Sequence, residues 1–217
     1  MPIKRSYADH GDACATAHAT ELLGDRWTYP ILRELMLGPK RFVELAEGLH
    51  GVTPAVLTTR LRTMREVGLV ERVELPAPAR ATAYRVTDWG RELRPVLDAL
   101  GRWAMRSPVR DDSGGLTPDG AVQSMLTMAP AAAPTPGVEI GLRLHDARSS
   151  TARPYDYRLS WGQTLEIVRE PVPTARALVA GDSSTWVAVL YDGVPLEKMD
   201  VSGNRAEVRR LIDAFAA

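Results

Sequence analysis

The stretch VTPAVLTTRLRTMREVGLVERVEL, residues 52–75, restricts the fold more than any other part of the chain. Thr53 is a good helix N-cap, Pro54 suits the first helical position, and Leu57, Leu61 and Met64 form one apolar stripe at i, i+4 and i+7. Gly68 then ends the helix, and LVERVEL alternates as a half-buried strand does. ATAYRVT alternates in the same way beyond a PAPAR tip, so a hairpin follows the helix directly. Away from the apolar stripe, the helix presents Ala55, Thr59, Arg62, Thr63 and Glu66, flanked by Thr58, Arg60 and Arg65. Small and hydroxylated side chains let a helix approach the floor of a DNA groove, and arginines reach guanine edges or phosphates.

The neighbouring segments complete a pattern. CATAHATELLG predicts a helix over 14–23. DRWTYPILRELMLG predicts another that ends at Gly38-Pro39 and starts near Thr28, which keeps Pro30 in the first turn. KRFVELAEGL predicts a short third helix with Phe42, Leu45 and Leu49 on one face. Thr87 or Asp88 caps a long last helix, DWGRELRPVLDALGRWAMR. Helix, turn, capped helix and hairpin make a helix-turn-helix with a wing. Its candidate DNA contacts are Arg41, Thr53, Thr58, Thr59, Arg60, Arg62 and Thr63, with Arg80 at the wing tip and Arg72 and Arg85 on its strands.

Charge divides the chain. Residues 1–110 carry 17 Lys and Arg against 13 Asp and Glu, and residues 111–217 carry 10 against 14, so a net charge of zero hides halves of +4 and −4. RSPVRDDSGGLTPDG, residues 106–120, is the expected linker, giving a module over 1–110 and another over 117–217. APAAAPTPG is a spacer within the second module. There, Val138, Ile140, Leu142 and Leu144 alternate as a strand, YDYRLS and QTLEIVRE form a hairpin around WG, and STWVAVLYDG reads as a helix. LEKMDVSG reads as a strand and NRAEVRRLIDAFA as a closing amphipathic helix. The fold class is α+β: a winged helix-turn-helix, mostly α with a β-hairpin wing, plus an α+β C-terminal domain.

No apolar run approaches the roughly eighteen residues of a membrane span, and the N-terminus has no secretory apolar region. A single cysteine forms no intrachain disulfide, so a reducing cytoplasm is expected. The second module holds one histidine, His145, and no catalytic constellation, so no enzyme activity, cofactor or metal is expected. His10, Cys14 and His18 lack a convincing metal-ligand spacing.

GDRW, ILREL, GPKRFVEL, LTTRLRTMREVGLVER and YRVTDWGREL occur in the order seen in the HxlR family of winged-helix transcriptional regulators, and the chain resembles that family over about residues 14–106. The resemblance implies double-stranded DNA as partner and a homodimer in which terminal helices of both subunits pack together. Leu22, Leu23, Leu93, Val96, Leu97, Leu100 and Trp103 suit that contact and suit an intradomain core equally. Pro30 departs from the aliphatic residue usual in the family. Cys14 stands where many members carry an N-terminal cysteine, used in some as a redox or electrophile sensor. A small residue buried in the dimer contact is the other reading of Cys14.

TARALVAGDSSTWVAVLYDGVPLEKMDVSGNRAEVRRLIDAF resembles sterol-carrier-protein-like domains: a strand, a Trp-containing helix, a short strand and a Gly203-Asn204 step into a last helix. It implies an apolar pocket for a small molecule or lipid, with Trp186, Val189, Leu190, Met199 and Leu211 as candidate lining; each is more often plain core than a ligand contact. The combined expectation is a cytoplasmic, dimeric DNA-binding regulator modulated by an apolar ligand. Two alternatives stay open: a redox-sensing repressor switched at Cys14, and a lipid-binding carrier or enzyme whose winged helix makes protein contacts.

Overall fold

A computed structural model describes residues 6–77, 80–111, 113–150, 153–173 and 175–216. The chain divides into two compact units between Arg94 and Pro95.

In the first unit, helix α1 covers Ala15–Leu23, α2 Thr28–Leu35, α3 Phe42–Gly48 and α4 Pro54–Glu66. Pro30 sits in the first turn of α2, where its missing N–H costs no helix hydrogen bond. The Thr53 hydroxyl caps α4 by accepting from Val56 N at 3.3 Å, and Pro54 is the first helical residue. Leu57, Leu61 and Met64 face inward with Ile31, Leu32, Leu35 and Leu45, all essentially inaccessible to solvent. After α4, Gly68 takes a left-handed φ of 77°, which lets the chain reverse into β1, Val70–Glu74. Strand β2, Thr82–Val86, pairs antiparallel with it, Val70 opposite Val86 and Glu74 opposite Thr82. Lys40 adds a bridge to this hairpin through two backbone bonds with Tyr84, at 2.9 and 2.8 Å.

The long last helix expected from Thr87 is broken. Helix α5 covers only Asp88–Arg91, capped by Thr87, and α6 starts afresh at Arg94 and runs to Ala104. Pro95 has no N–H to give the carbonyl one turn earlier, so the helix cannot run through this point unbroken.

Helix α6 belongs with the second unit rather than the first. Arg102 Nη1 donates to the Thr127 carbonyl at 3.0 Å, and the Thr127 hydroxyl donates to Asp98 Oδ1 at 2.6 Å. Thr127 lies on α7, Pro118–Met128, a helix that opens inside the segment read as linker. Strands β3 (Val138–His145), β4 (Tyr155–Trp161), β5 (Leu165–Arg169) and β6 (Ala177–Asp182) come next, followed by α8 (Ser183–Tyr191), β7 (Asp200–Gly203) and α9 (Arg205–Ala216). They form one sheet in the order β5-β4-β3-β6-β7, antiparallel except for the β3–β6 pair. The expected strand over 196–203 is correct only for its last four residues; Leu196–Lys198 is a turn of 3-10 helix behind Pro195.

Val138, Ile140, Leu142 and Leu144 of β3 are buried while Glu139 and Arg143 are exposed, as period-two alternation requires. The buried face meets α7, α8 and α9: Trp186 Nε1 donates to Met125 Sδ at 3.4 Å, and Phe215 packs 5.2 Å from the Trp161 ring. No helix among the described residues is long and apolar enough to cross a membrane.

Candidate nucleic-acid interface

The outward face of α4 is built largely from threonine. Thr58 donates its hydroxyl to Pro54 O at 2.8 Å, Thr59 to Ala55 O at 2.9 Å and Thr63 to Thr59 O at 3.2 Å. These bonds occupy the hydroxyl protons within the helix. What each threonine offers outward is an acceptor oxygen and a methyl group, which match a base amino group and a thymine methyl. Arg62 is exposed, and its contact with Glu66 at 3.9 Å is a weak surface pair that leaves the guanidinium free to reach outward.

The other cations differ. Arg60 gives its Nη2 to Asp25 Oδ2, so it serves the turn between α1 and α2. Arg41, before α3, contacts Glu44 Oε2 through Nε at 3.1 Å, while its backbone N–H bonds the same oxygen at 2.7 Å. Thr53 acts as the cap of α4. On the wing, Arg85 Nε meets Glu71 Oε1 at 2.6 Å across the register and Arg72 leans on Thr82, while Arg80 is exposed at the tip with a left-handed φ of 34°. Thr58, Thr59, Arg62 and Thr63 therefore share one helix, with Arg80 at the wing tip. Arg60 and Arg41 are held by acids.

One cluster escaped sequence reasoning. Glu34 on α2 is fully buried; its carboxylate takes Lys40 Nζ at 2.6 Å and Arg33 Nη2 at 2.9 Å. Because the Lys40 backbone pairs with Tyr84, this ion pair joins α2 to the wing.

Cys14 caps α1 and is exposed, and the backbone N–H groups of Ala17 and then Thr16 hold its thiol pKa below the ordinary value. His18 is engaged by Glu21 at 3.1 Å. Among the described residues no group of three or more His, Cys, Asp or Glu could hold a metal. Leu22, Leu23, Leu69, Trp89 and Leu93 line an apolar groove of about 220 Å³ in the first unit.

The profile of the HxlR-like helix-turn-helix family matches residues 22–111. An uncharacterized HTH-type transcriptional regulator of Mycobacterium tuberculosis is 40% identical over 89 residues, 41% of this chain and 56% of the relative. The HTH-type transcriptional regulator YodB of Bacillus subtilis is 36% identical over 86 residues, 40% of this chain and 77% of YodB. The chain belongs to the HxlR-like helix-turn-helix family. The reduced form of YodB, a solved structure, is 32% identical, with 46% of this chain and 100% of YodB covered at a TM-score of 0.41. The chain spans about half the length, 56%, of the mycobacterial relative. The HxlR-like segment ends at residue 111, so it takes in α6 and stops before α7.

In the second unit, Trp186, Val189, Leu190, Met199 and Leu211 are all buried. A second buried carboxylate lies here. Asp119 Oδ1 accepts from the Tyr157 hydroxyl at 2.6 Å and Oδ2 from Arg169 Nη1 at 3.0 Å, tying α7 to β4 and β5. Gln123 is buried as well, and its Nε2 has no partner.

Proposed function

We propose that this chain is a DNA-binding transcriptional regulator that acts as a homodimer, with α4 in the major groove and the hairpin tip on the flanking backbone. The single observation that carries this is the outward face of α4 in an HxlR-like chain: Thr58, Thr59 and Thr63 with their protons turned inward beside an exposed Arg62. Dimerisation is supported by apolar surface that the monomer leaves open. Val96, Leu100 and Trp103 of α6 are exposed, and the groove beside Trp89 is lined by Leu22, Leu23 and Leu93. A regulator of this kind works in the cytoplasm.

The C-terminal unit takes an apolar small molecule of fatty-acyl or sterol size. Support comes from its sterol-carrier-like order of strand, Trp-containing helix, short strand and last helix, and from the partnerless Gln123 Nε2, a polar anchor inside an apolar interior. Trp186, Val189, Leu190, Met199 and Leu211 are buried in that interior, and a ligand that reaches them shifts the unit to another state. The ligand changes operator affinity through its differential affinity for the two states.

A second reading is favoured by one observation: the exposed thiol at the N-terminus of α1, with its pKa lowered, suits a redox switch at Cys14. Gel shifts on the chain's own upstream region and on a random duplex pool test the DNA reading; affinity no better for the former on every fragment removes it. Titration with a fatty-acid and sterol panel, followed by Trp186 fluorescence and by operator release, separates the ligand reading from the thiol reading, in which Cys14→Ser alone abolishes the response.

A further inference from the structure

Arg60 occupies the flank of α4 next to Thr63, one turn from Val56, and a guanidinium there reaches the phosphates bordering a groove. Yet its Nη2 is engaged by Asp25 Oδ2. Asp25 is itself fixed: Oδ1 accepts from Trp27 N at 2.9 Å and its carbonyl from Thr28 N at 3.0 Å, at the start of α2. The Arg60 and Asp25 side chains are 22% and 32% exposed, so the pair lies at the surface rather than in the core. Among the described residues, Arg60 Nε is buried without an acceptor. An unsatisfied buried donor is a cost that the guanidinium sheds by swinging outward. Asp25 is what opposes that movement.

We infer that Asp25 determines specificity by holding Arg60 away from the DNA backbone. A phosphate contact strengthens binding to every sequence alike and carries no base information. Retaining Arg60 on Asp25 therefore lowers affinity for random DNA while leaving Thr59 and Arg62 to discriminate. The inference rests on the DNA-binding reading of α4.

The test uses the full chain and a random-sequence duplex, with a duplex selected by the native protein as reference. Asp25→Asn keeps the Oδ1 acceptor for Trp27 N and removes the charge. It should bind random duplex several-fold more tightly, with the slope of log affinity against log salt steeper by about 0.9, the value for one added phosphate contact. The ratio of selected to random affinity should fall. Removing any acidic residue near DNA would raise affinity somewhat, so the deciding quantity is coupling. Arg60→Gln should change random-duplex affinity less than twofold in the native background, and should erase the whole gain in the Asp25→Asn background. Equal effects of Arg60→Gln in the two backgrounds, or a loss of affinity for both duplexes with an unchanged slope, would overturn the inference and leave Asp25–Arg60 as a fold contact. Should the native protein bind no duplex, the DNA reading falls first and this inference with it.

Discussion

Each unit holds a fully buried carboxylate, Glu34 in the first and Asp119 in the second, and the two differ in what the buried charge secures. In the first, Glu34 is met by two cations, and the chief one, Lys40, has a side chain only 3% exposed. In the second, Asp119 is shared between a neutral phenol, Tyr157, and Arg169, whose side chain is 14% exposed and lies 5.5 Å from the Tyr155 ring centroid. The first pair ties α2 to the wing, because the Lys40 backbone also bonds Tyr84. The second ties α7 to β4 and β5 in a unit whose candidate ligand residues, on α8, on α9 and just before β7, are all buried. The first brace lies in the unit that carries the proposed DNA-facing helix; the second lies in the unit proposed to take a ligand.

The largest effect of a single substitution should come from breaking the first brace. Lys40→Met strips the more buried cation from Glu34 and should cost about 3–5 kcal/mol of stability, the range for stripping one partner from a buried pair. Arg169→Met should cost less, because Asp119 keeps the Tyr157 hydroxyl and Arg169 is the more exposed cation. Urea denaturation of both variants checks the order. A larger loss for Arg169→Met would reverse the comparison.

The second effect concerns where the units divide. A fragment of residues 95–217 keeps α6 bonded to Thr127, and keeps Leu116 bonded to Ser183 and, at 2.9 Å, to Ser184. A fragment of residues 117–217 lacks these bonds and the Arg148 bond to Gly115 O at 2.6 Å. With each of these five bonds worth about 1 kcal/mol, the shorter fragment should be less stable by roughly 5 kcal/mol. Equal melting of the two would put the boundary back in the Pro- and Gly-rich linker, where composition alone locates it.

That boundary illustrates what could be read from sequence. The α4–wing segment was legible to the residue, because a cap, a proline, an apolar stripe and a glycine all mark the same helix. Helix α7 carries a Thr117-Pro118 start like that of α4, but it opens inside the segment read as linker and was not assigned. Its buried residues include Asp119, Gly120 and Gln123, which no apolar period would select, and only the bond network accounts for their burial. Pro95 was legible as a breaker, but apolar spacing running past it from Leu93 to Leu100 suggested one helix. On the interface, the threonine face was readable from residue type. The capture of Arg60 by Asp25 and of Lys40 by Glu34 was not, since each joins segments that sequence spacing does not relate.

A smaller effect sharpens the outward-facing side of the comparison. Arg62→Ala should cost about 1–3 kcal/mol at a single base position and relax selection there. Arg80→Ala should weaken every duplex alike and flatten the salt slope by about 0.9. Competition binding against a selected duplex and its single-base variants distinguishes the two. Identical losses across all variants for Arg62→Ala would assign it to the backbone.

The smallest effect is confined to Cys14, the one outward-facing candidate whose properties depend on a helix end alone. Backbone N–H groups at Ala17 and Thr16 stabilise the thiolate, while His18, one turn on, is engaged by Glu21. A lowered folded-state pKa means that thiolate is present in the folded chain at pH values where the unfolded chain still holds a thiol. The small stability this confers is fully present above the unfolded pKa and is lost as pH falls through the folded one. The pH midpoint of iodoacetamide alkylation should therefore lie lower in the folded protein than in urea. The rate gain near neutrality should be smaller than the gain in thiolate, because nucleophilicity falls as the pKa does. Ala17→Pro removes the N–H that contributes most, at a first-turn position that tolerates proline, and should move the midpoint back toward the unfolded value. A midpoint that ignores Ala17→Pro would mean that something other than the cap sets this thiol.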